Sequence, residues 1–196
     1  RGGGKSFAVR IKAALLCLQY PGIKVMIIRK TYPELQENHV LPLCELLKCY
    51  HPDKSARIAS YNDSKKNITF PNGSRILFRY CDAEKDAERF QGTEVDVLFI
   101  DEAYTLCDTT YDRRDFGYHV VEALLPVMAD PHPDMIIIFA GYANEMERLM
   151  QVNQGLKGRF THHLHFDDYT ADELMQIGDN LLTEHQYVLT DEARGL

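Results

Sequence analysis

The chain has 196 residues, of which 45% are apolar, enough for one compact α/β domain with a small appendage. No apolar run approaches the roughly 20 residues of a membrane-spanning helix and no signal peptide is recognisable, so we expect a soluble, cytoplasmic protein without membrane contact. The net charge of -7 is unevenly divided: residues 1–98 carry 16 Lys and Arg against 11 Asp and Glu, whereas residues 99–196 carry 6 against 18.

Basic residues are concentrated at the beginning of the sequence. Such a balance is typical of a surface that faces phosphate groups or nucleic acid. Because no aromatic residues alternate with these charges, a solvated basic face around a phosphate-binding loop is favoured over a dedicated nucleic-acid patch. Glu34 is the first acidic residue. The basic residues that precede it are Arg1, Lys5, Arg10, Lys12, Lys24, Arg29 and Lys30.

Helical and strand patterns alternate through the first half. A glycine-rich loop over residues 1–6 leads into apolar residues at helical spacing, which Pro21 ends. Residues 32–50 again have a helical pattern, which Pro42 interrupts. The Pro-Asn-Gly-Ser sequence of residues 71–74 is a strong hairpin signal. Short strands are predicted over residues 24–29, 57–61, 67–70 and 75–80, the last three as an antiparallel insertion.

The alternation continues through the second half. Thr170 and Glu173 form a capping box that opens an amphipathic helix to about residue 183. The order of elements predicts an α/β fold, with a parallel sheet flanked by helices on both faces. Strands are predicted over residues 95–100, 135–140 and 163–166, helices over residues 116–128 and 143–152, and a loop over residues 155–160.

The first six residues match the end of the phosphate-binding motif G-x-x-x-x-G-K-[ST], whose first glycine would precede residue 1. In such a loop the backbone N–H groups of Gly2, Gly3 and Gly4 wrap the phosphates of ATP, together with the next residues up to Phe7. Lys5 reaches the β and γ phosphates, and the Ser6 hydroxyl ligates Mg²⁺. The alternative, a chance glycine turn before a helix, is disfavoured by the acidic strand end downstream.

That strand end is Asp101-Glu102, which directly follows the apolar run Leu98-Phe99-Ile100. This is a Walker B pattern, and carboxylates at the C-terminal end of a strand indicate a site. Asp101 would hold Mg²⁺ through water, and Glu102 would polarise the attacking water. The sequence therefore predicts ATP hydrolysis.

Two further features leave alternatives open. Arg159, in the Gly155–Phe160 segment, is a candidate arginine finger for the γ phosphate or a plain surface arginine. The five cysteines form no C-x-x-C pair, which predicts neither a zinc site nor a disulfide framework. His162, His163 and His165 have no cysteine or carboxylate at ligand spacing, so they are interpreted as surface strand residues rather than zinc ligands.

Residues 1 to about 103 resemble the ATPase domain of phage terminase large subunits. The matching segments are RGGGKS, VMIIRKTYPELQENHVLPL, YNDSKKNITFPNGSRILFRYCD and RFQGTEVDVLFIDEA. The resemblance implies ATP-driven movement of double-stranded DNA, with Lys5 and Ser6 on the nucleotide and Glu102 catalytic. It also places Arg1 at the position of the proposed Walker A arginine.

Residues 97–196 resemble AAA+ proteins of the stage V sporulation protein K and red-type Rubisco activase group. The matching segments are LFIDEAYTL, RDFGYHVVEALLPVM, IIIFAGYANEMERLM, NQGLKGRF and FDDYTADEL. This resemblance implies a homo-oligomer, a hexamer, in which Arg159 reaches the nucleotide of the neighbouring subunit. Tyr142 stands where many AAA+ proteins have a polar sensor residue.

The two resemblances overlap at the Walker B strand, so the chain resembles a fusion made at FIDEA. Together they predict a P-loop NTPase of the additional-strand class, with an ATPase core over residues 1–166 and the truncated start of a helical lid domain over residues 167–196. Mg²⁺-dependent ATP hydrolysis is the leading function. The alternatives are a terminase fragment that binds DNA and an AAA+ assembly scaffold without catalysis.

Overall fold

A computed structural model of the chain divides into two compact units. One runs from Gly4 to His163, and the other contains the described residues from Leu164 onward. The structure describes residues 4–81, 94–106, 116–130, 134–152, 154–184, 187 and 190.

Six strands of the described residues form one mixed sheet in the order β2-β3-β4-β1-β5-β6. Parallel pairing joins β4, β1, β5 and β6, and antiparallel pairing joins β2 to β3 and β3 to β4. The strands are β1 (Lys24–Arg29), β2 (Ser60–Asn62), β3 (Asn67–Thr69), β4 (Arg75–Tyr80), β5 (Val97–Asp101) and β6 (Ile136–Ala140).

Helices cover both faces of this sheet, as the sequence predicts. Before β2 come α1 (Lys5–Gln19), α2 (Tyr32–Leu35), a π-helix (Gln36–Val40), α3 (Leu41–Leu46) and a 3₁₀ turn (Lys54–Ala56). After β5 come a 3₁₀ turn (Ala103–Leu106), α4 (Phe116–Ala129), α5 (Ala143–Val152), α6 (Gln154–Lys157) and α7 (Ala171–Glu184).

Successive side chains of each strand point to opposite faces of the sheet, so the sheet has one apolar core on each face. Ile27, Phe78 and Phe99 face one core with the buried residues of α1 and α3. Ile28 and Ile100 face the other core, which α4, α5 and α6 complete. Strand β5 is buried along its whole length, so its last residue, Asp101, reaches the carboxyl ends of the parallel strands from inside the core.

The predicted hairpin at residues 71–74 is present. The Phe70 N–H donates to the Ser74 carbonyl at 2.9 Å, and Gly73 has a φ of 87°, which a residue with a Cβ rarely adopts. The hairpin is more than an insertion, however, because β4 also pairs in parallel with β1 from Lys24 to Arg29. It therefore extends the main sheet.

Three predictions of local structure are wrong. Residues 163–166 form no strand, because their side chains are exposed and nothing in the described chain pairs with them. The predicted loop at residues 155–160 begins inside the short helix α6. Pro42 does not break the helical region, because it lies in the first turn of α3, where proline is tolerated. The irregularity lies just before it, in the π-helix.

The capping box at the start of α7 is confirmed. Glu173 Oε2 accepts from the Thr170 N–H at 2.8 Å, and the Glu173 N–H donates to Thr170 Oγ1 at 3.3 Å. Two otherwise unpaired donors are thereby satisfied. A lid role for this unit stays a prediction.

Candidate nucleotide site

The centre of the site joins the first helix to the end of strand β5. Gly4, with a φ of 71°, turns the chain into α1, so that Ser6 lies in the first helical turn. The Ser6 hydroxyl donates to Asp101 Oδ2 at 2.8 Å, across 95 residues of sequence. The structure thus brings together the two residues that the sequence predicts to bind Mg²⁺.

Asp101 is a buried carboxylate with three donors on one oxygen. Besides Ser6, Arg29 Nε reaches Oδ2 at 3.0 Å and His39 Nε2 reaches it at 2.8 Å. Burial alone would raise the pKa of Asp101, but the hydrogen bond from His39, the Arg29 charge and the Ser6 hydroxyl together hold that pKa below its usual value. Asp101 is therefore ionised and can accept from all three.

His39 is completely buried beside this carboxylate. Burial lowers its pKa despite the opposing hydrogen bond to Asp101, and the charges of Arg29 and Arg10 lower it further. A neutral imidazole carries one proton, and an ionised carboxylate cannot donate, so the proton is on Nε2. Nδ1 is left buried without a hydrogen-bond partner in the described structure.

Glu102 has a backbone conformation that is rare for a residue with a side chain. Its φ of 55° lies in the left-handed region, which costs free energy and is found at functional sites. Its carboxylate accepts from the Tyr104 hydroxyl and lies 3.7 Å from Arg29 Nη2. The side chain is 21% exposed, so this carboxylate is held in place and still reaches water.

Two aromatic residues, Tyr104 and Tyr142, pack near Glu102. The Lys5 ammonium lies 4.8 Å from the centre of the Tyr142 ring, which in turn lies 6.0 Å from the Tyr104 ring. A Cβ on Gly141 would come within 2.9 Å of the Tyr104 ring and 2.8 Å of Met146 Sδ. The absence of a Cβ on Gly141, which directly follows β6, therefore makes room for the Tyr104 ring.

Of the remaining predicted site residues, the structure describes Phe7 and Arg159, and neither lies in this cluster. Arg1, Gly2 and Gly3 lie outside the described residues. Phe7 is 58% exposed, with the Arg10 guanidinium over its ring at 5.7 Å. Arg159 is exposed and donates to the Gly155 carbonyl.

Sequence reasoning missed Arg29, His39 and Tyr104. A signal for Arg29 exists, because a basic residue that ends a buried apolar strand needs an acidic partner. Arg29 and Asp101 end neighbouring parallel strands, and for that reason they meet. His39 carries no such local signal, since its burial depends on the register of the π-helix.

The oxygens present fit Mg²⁺ bound with a nucleotide. Mg²⁺ prefers hard oxygen ligands and is commonly held by one or two protein groups plus phosphates and water. Ser6 and Asp101 supply such oxygens. Within the described residues there is no group of three or more His, Cys, Asp or Glu side chains that would bind a metal without phosphate.

His162, His163 and His165 are surface residues, as predicted, but they do not lie in a strand. All three are exposed, and His165 Nε2 lies 3.3 Å from Asp167. Among the described helices, none has the length and apolar character to cross a membrane.

Residues 1–112 match the family described as terminase large subunit, T4likevirus-type, N-terminal. The chain belongs to this terminase family. In fold it is similar to the large terminase of a thermophilic bacteriophage, with a TM-score of 0.56 at 16% identity over 95% of this chain and 42% of that one. The six-stranded sheet with helices on both faces is the α/β fold of P-loop NTPases.

The chain is also similar to curated AAA+ relatives. A CfxQ homolog of Galdieria sulphuraria is 49% identical over 98 residues, which is 50% of this chain and 32% of the relative. The chloroplastic ribulose bisphosphate carboxylase/oxygenase activase of Cyanidioschyzon merolae is 47% identical over 97 residues, 50% of this chain and 33% of the relative. This chain thus spans about a third of each relative, and both lineages support a P-loop ATPase in general.

Proposed function

We propose that the chain binds ATP and hydrolyses it in the presence of Mg²⁺. The observation that carries this proposal is the 2.8 Å hydrogen bond between Ser6 and Asp101. It joins the N-terminal turn of a helix that follows a glycine loop to the C-terminal end of a buried strand, which is the arrangement that phosphoryl transfer requires.

Each residue of the cluster has a role in this proposal. The N–H groups of Gly2, Gly3 and Gly4 surround the phosphates, with Arg1 and Phe7 beside them. Lys5 leaves the Tyr142 ring to reach the β and γ phosphates. Ser6 and Asp101 hold Mg²⁺, which when bound neutralises charge on the phosphate oxygens. Glu102 orients the water that attacks the γ phosphate in line.

The test is steady-state phosphate release with Mg·ATP. The Glu102→Gln variant should keep nucleotide binding and lose about 10²-fold or more in turnover, because the amide cannot accept a proton from water. Glu145→Gln, a half-exposed glutamate paired with Arg148 at 3.0 Å, is the matched control and should turn over normally. Turnover in Glu102→Gln equal to that of the unsubstituted chain would contradict the role given to Glu102.

DNA binding is a second candidate, supported by a cleft at the β3–β4 side of the sheet. Five basic residues line it, against one acidic residue, Glu94. They are Lys24, Lys65, Lys66, Arg75 and Arg79. The expected measurement is fluorescence anisotropy of a labelled duplex, with affinity falling linearly with log salt. Affinity independent of salt would exclude this surface.

Assembly into a hexamer with Arg159 acting on a neighbouring subunit is the third part of the proposal. The exposure of Arg159 leaves it accessible to a second copy. Nucleotide-dependent oligomers that Arg159→Ala disrupts would support it, whereas size-exclusion profiles unchanged by Mg·ATP would reject both the hexamer and a non-catalytic scaffold. Cys17, Cys44, Cys49 and Cys81 are buried thiols. They suit a reducing compartment, and a cytoplasmic location belongs to the same proposal.

A further inference from the structure

His39 lies in the π-helix between α2 and α3, an arrangement that is rare and is often found at functional sites. Its neighbour Asn38 is fixed on two sides: the Asn38 amide donates to the Glu34 carbonyl at 2.8 Å, and the Arg10 guanidinium donates to the Asn38 carbonyl. Arg10 belongs to α1, the helix that carries Ser6. The backbone that presents His39 is therefore tied to the helix that begins at the phosphate loop.

The imidazole makes one polar contact in the described structure, with Asp101, and leaves Nδ1 buried and unpaired. A buried histidine that serves packing alone gains nothing from an unpaired nitrogen, because an unsatisfied buried polar atom destabilises the fold. The arrangement is explained if the Nε2–H bond to Asp101 has a use of its own.

Arg29 and His39 differ in what else they contact. Arg29 also lies 3.7 Å from Glu102 and carries a charge that attracts both carboxylates. His39 reaches Asp101 Oδ2 from a different element, the π-helix rather than β1. Both side chains donate to the same oxygen, Oδ2, from two different elements, which restricts rotation of the carboxylate. The hydroxyl of Ser6, the third donor, can rotate to present its oxygen to a metal ion.

We propose that His39 is a positioning residue for the Mg²⁺-binding carboxylate: its Nε2–H holds Asp101 in the orientation that accepts a metal-bound water. This inference rests on the proposed function of Ser6 and Asp101. Groups that orient a metal ligand commonly change metal affinity by 10- to 100-fold when removed.

The test compares two amides that differ by one methylene. His39→Gln places its N–H donor near the position of Nε2, whereas His39→Asn has the same chemistry with a shorter reach. Binding of a fluorescent ATP analogue is measured in EDTA and during a Mg²⁺ titration. We expect His39→Asn to raise the half-saturating Mg²⁺ concentration about 10-fold or more, with binding in EDTA unchanged, and His39→Gln to stay within about 3-fold of the unsubstituted chain.

Asn67→Leu is the matched control for loss of a buried polar group, because Asn67 is 7% exposed and its Oδ1 is also buried and unpaired. It should leave the Mg²⁺ dependence unchanged. Equal Mg²⁺ dependence in His39→Asn and His39→Gln would overturn the positioning role while leaving the proposed function intact. Absence of Mg²⁺-enhanced binding in the unsubstituted chain would instead overturn the proposed function, and the role of His39 with it.

Discussion

The unit from Gly4 to His163 and the residues from Leu164 onward are stabilised in different ways. In the first unit, the polar contacts at the site join residues far apart in sequence, such as Ser6 with Asp101 and His39 with Asp101. In the second unit, the described polar contacts are local, as in the capping box of Thr170 and Glu173. Apolar residues of α7 such as Leu174 and Leu181 are more than half exposed. The first unit is therefore sensitive to tertiary contacts, and the second follows local helix rules.

Asp101→Ala, in the first unit, should lower the free energy of unfolding far more than a matched substitution in the second unit. It leaves the Arg29 guanidinium buried without its nearest partner, and removal of one member of a buried ion pair costs about 3–5 kcal/mol in the free energy of unfolding. Urea denaturation followed by far-UV circular dichroism measures this loss. The control is Asp167→Ala, an exposed aspartate of the second unit, which should change stability by less than about 0.5 kcal/mol.

Two glycine substitutions should have opposite signs. Gly141→Ala forces a Cβ against Tyr104 and Met146 and should destabilise by about 1–3 kcal/mol. Gly178→Ala, inside α7, meets nothing within 4 Å and should stabilise that helix by about 0.5–1 kcal/mol. Melting temperatures and helix content measure both. If both variants lowered the melting temperature, the stability of the second unit would not follow helix propensity.

Acid should destabilise the first unit. The pKa of His39 is lowered in the fold, so the unfolded chain takes up a proton below about pH 6.5 that the folded chain does not, and stability falls as the pH decreases from there. The lowered pKa of Asp101 adds a further loss below about pH 4. The limiting slope is about 1.4 kcal/mol per pH unit for one proton. Urea midpoints between pH 5 and pH 8 measure it, and His39→Gln should flatten the upper part of this range.

Thr170→Ala should have a small effect, confined to the second unit. Loss of the N-cap removes about 1 kcal/mol from α7. The helix signal should fall slightly while nucleotide binding by the first unit is unchanged. A loss of nucleotide binding in this variant would mean that the two units depend on each other.

Much of the fold can be predicted from local pattern. The strand at Lys24–Arg29, the hairpin turn and the start of α7 follow from β-branched runs, turn residues and a capping box, and each of these signals lies within a few residues. The predicted strand at residues 163–166 fails for the converse reason. A strand needs a partner, and a short apolar pattern does not say whether one is present.

The residues of the site also fall into two groups: those that the sequence predicts and those that only the tertiary structure reveals. Ser6, Asp101 and Glu102 belong to motifs whose spacing reflects the chemistry of phosphate and Mg²⁺, so the sequence by itself determines which residues are candidates. Only the tertiary structure decides that Arg29 and His39 share one oxygen of Asp101 and that Gly141 makes room for Tyr104. The reason is physical: strand order and helix register set which side chains meet, and both depend on burying two apolar faces at once rather than on any one segment.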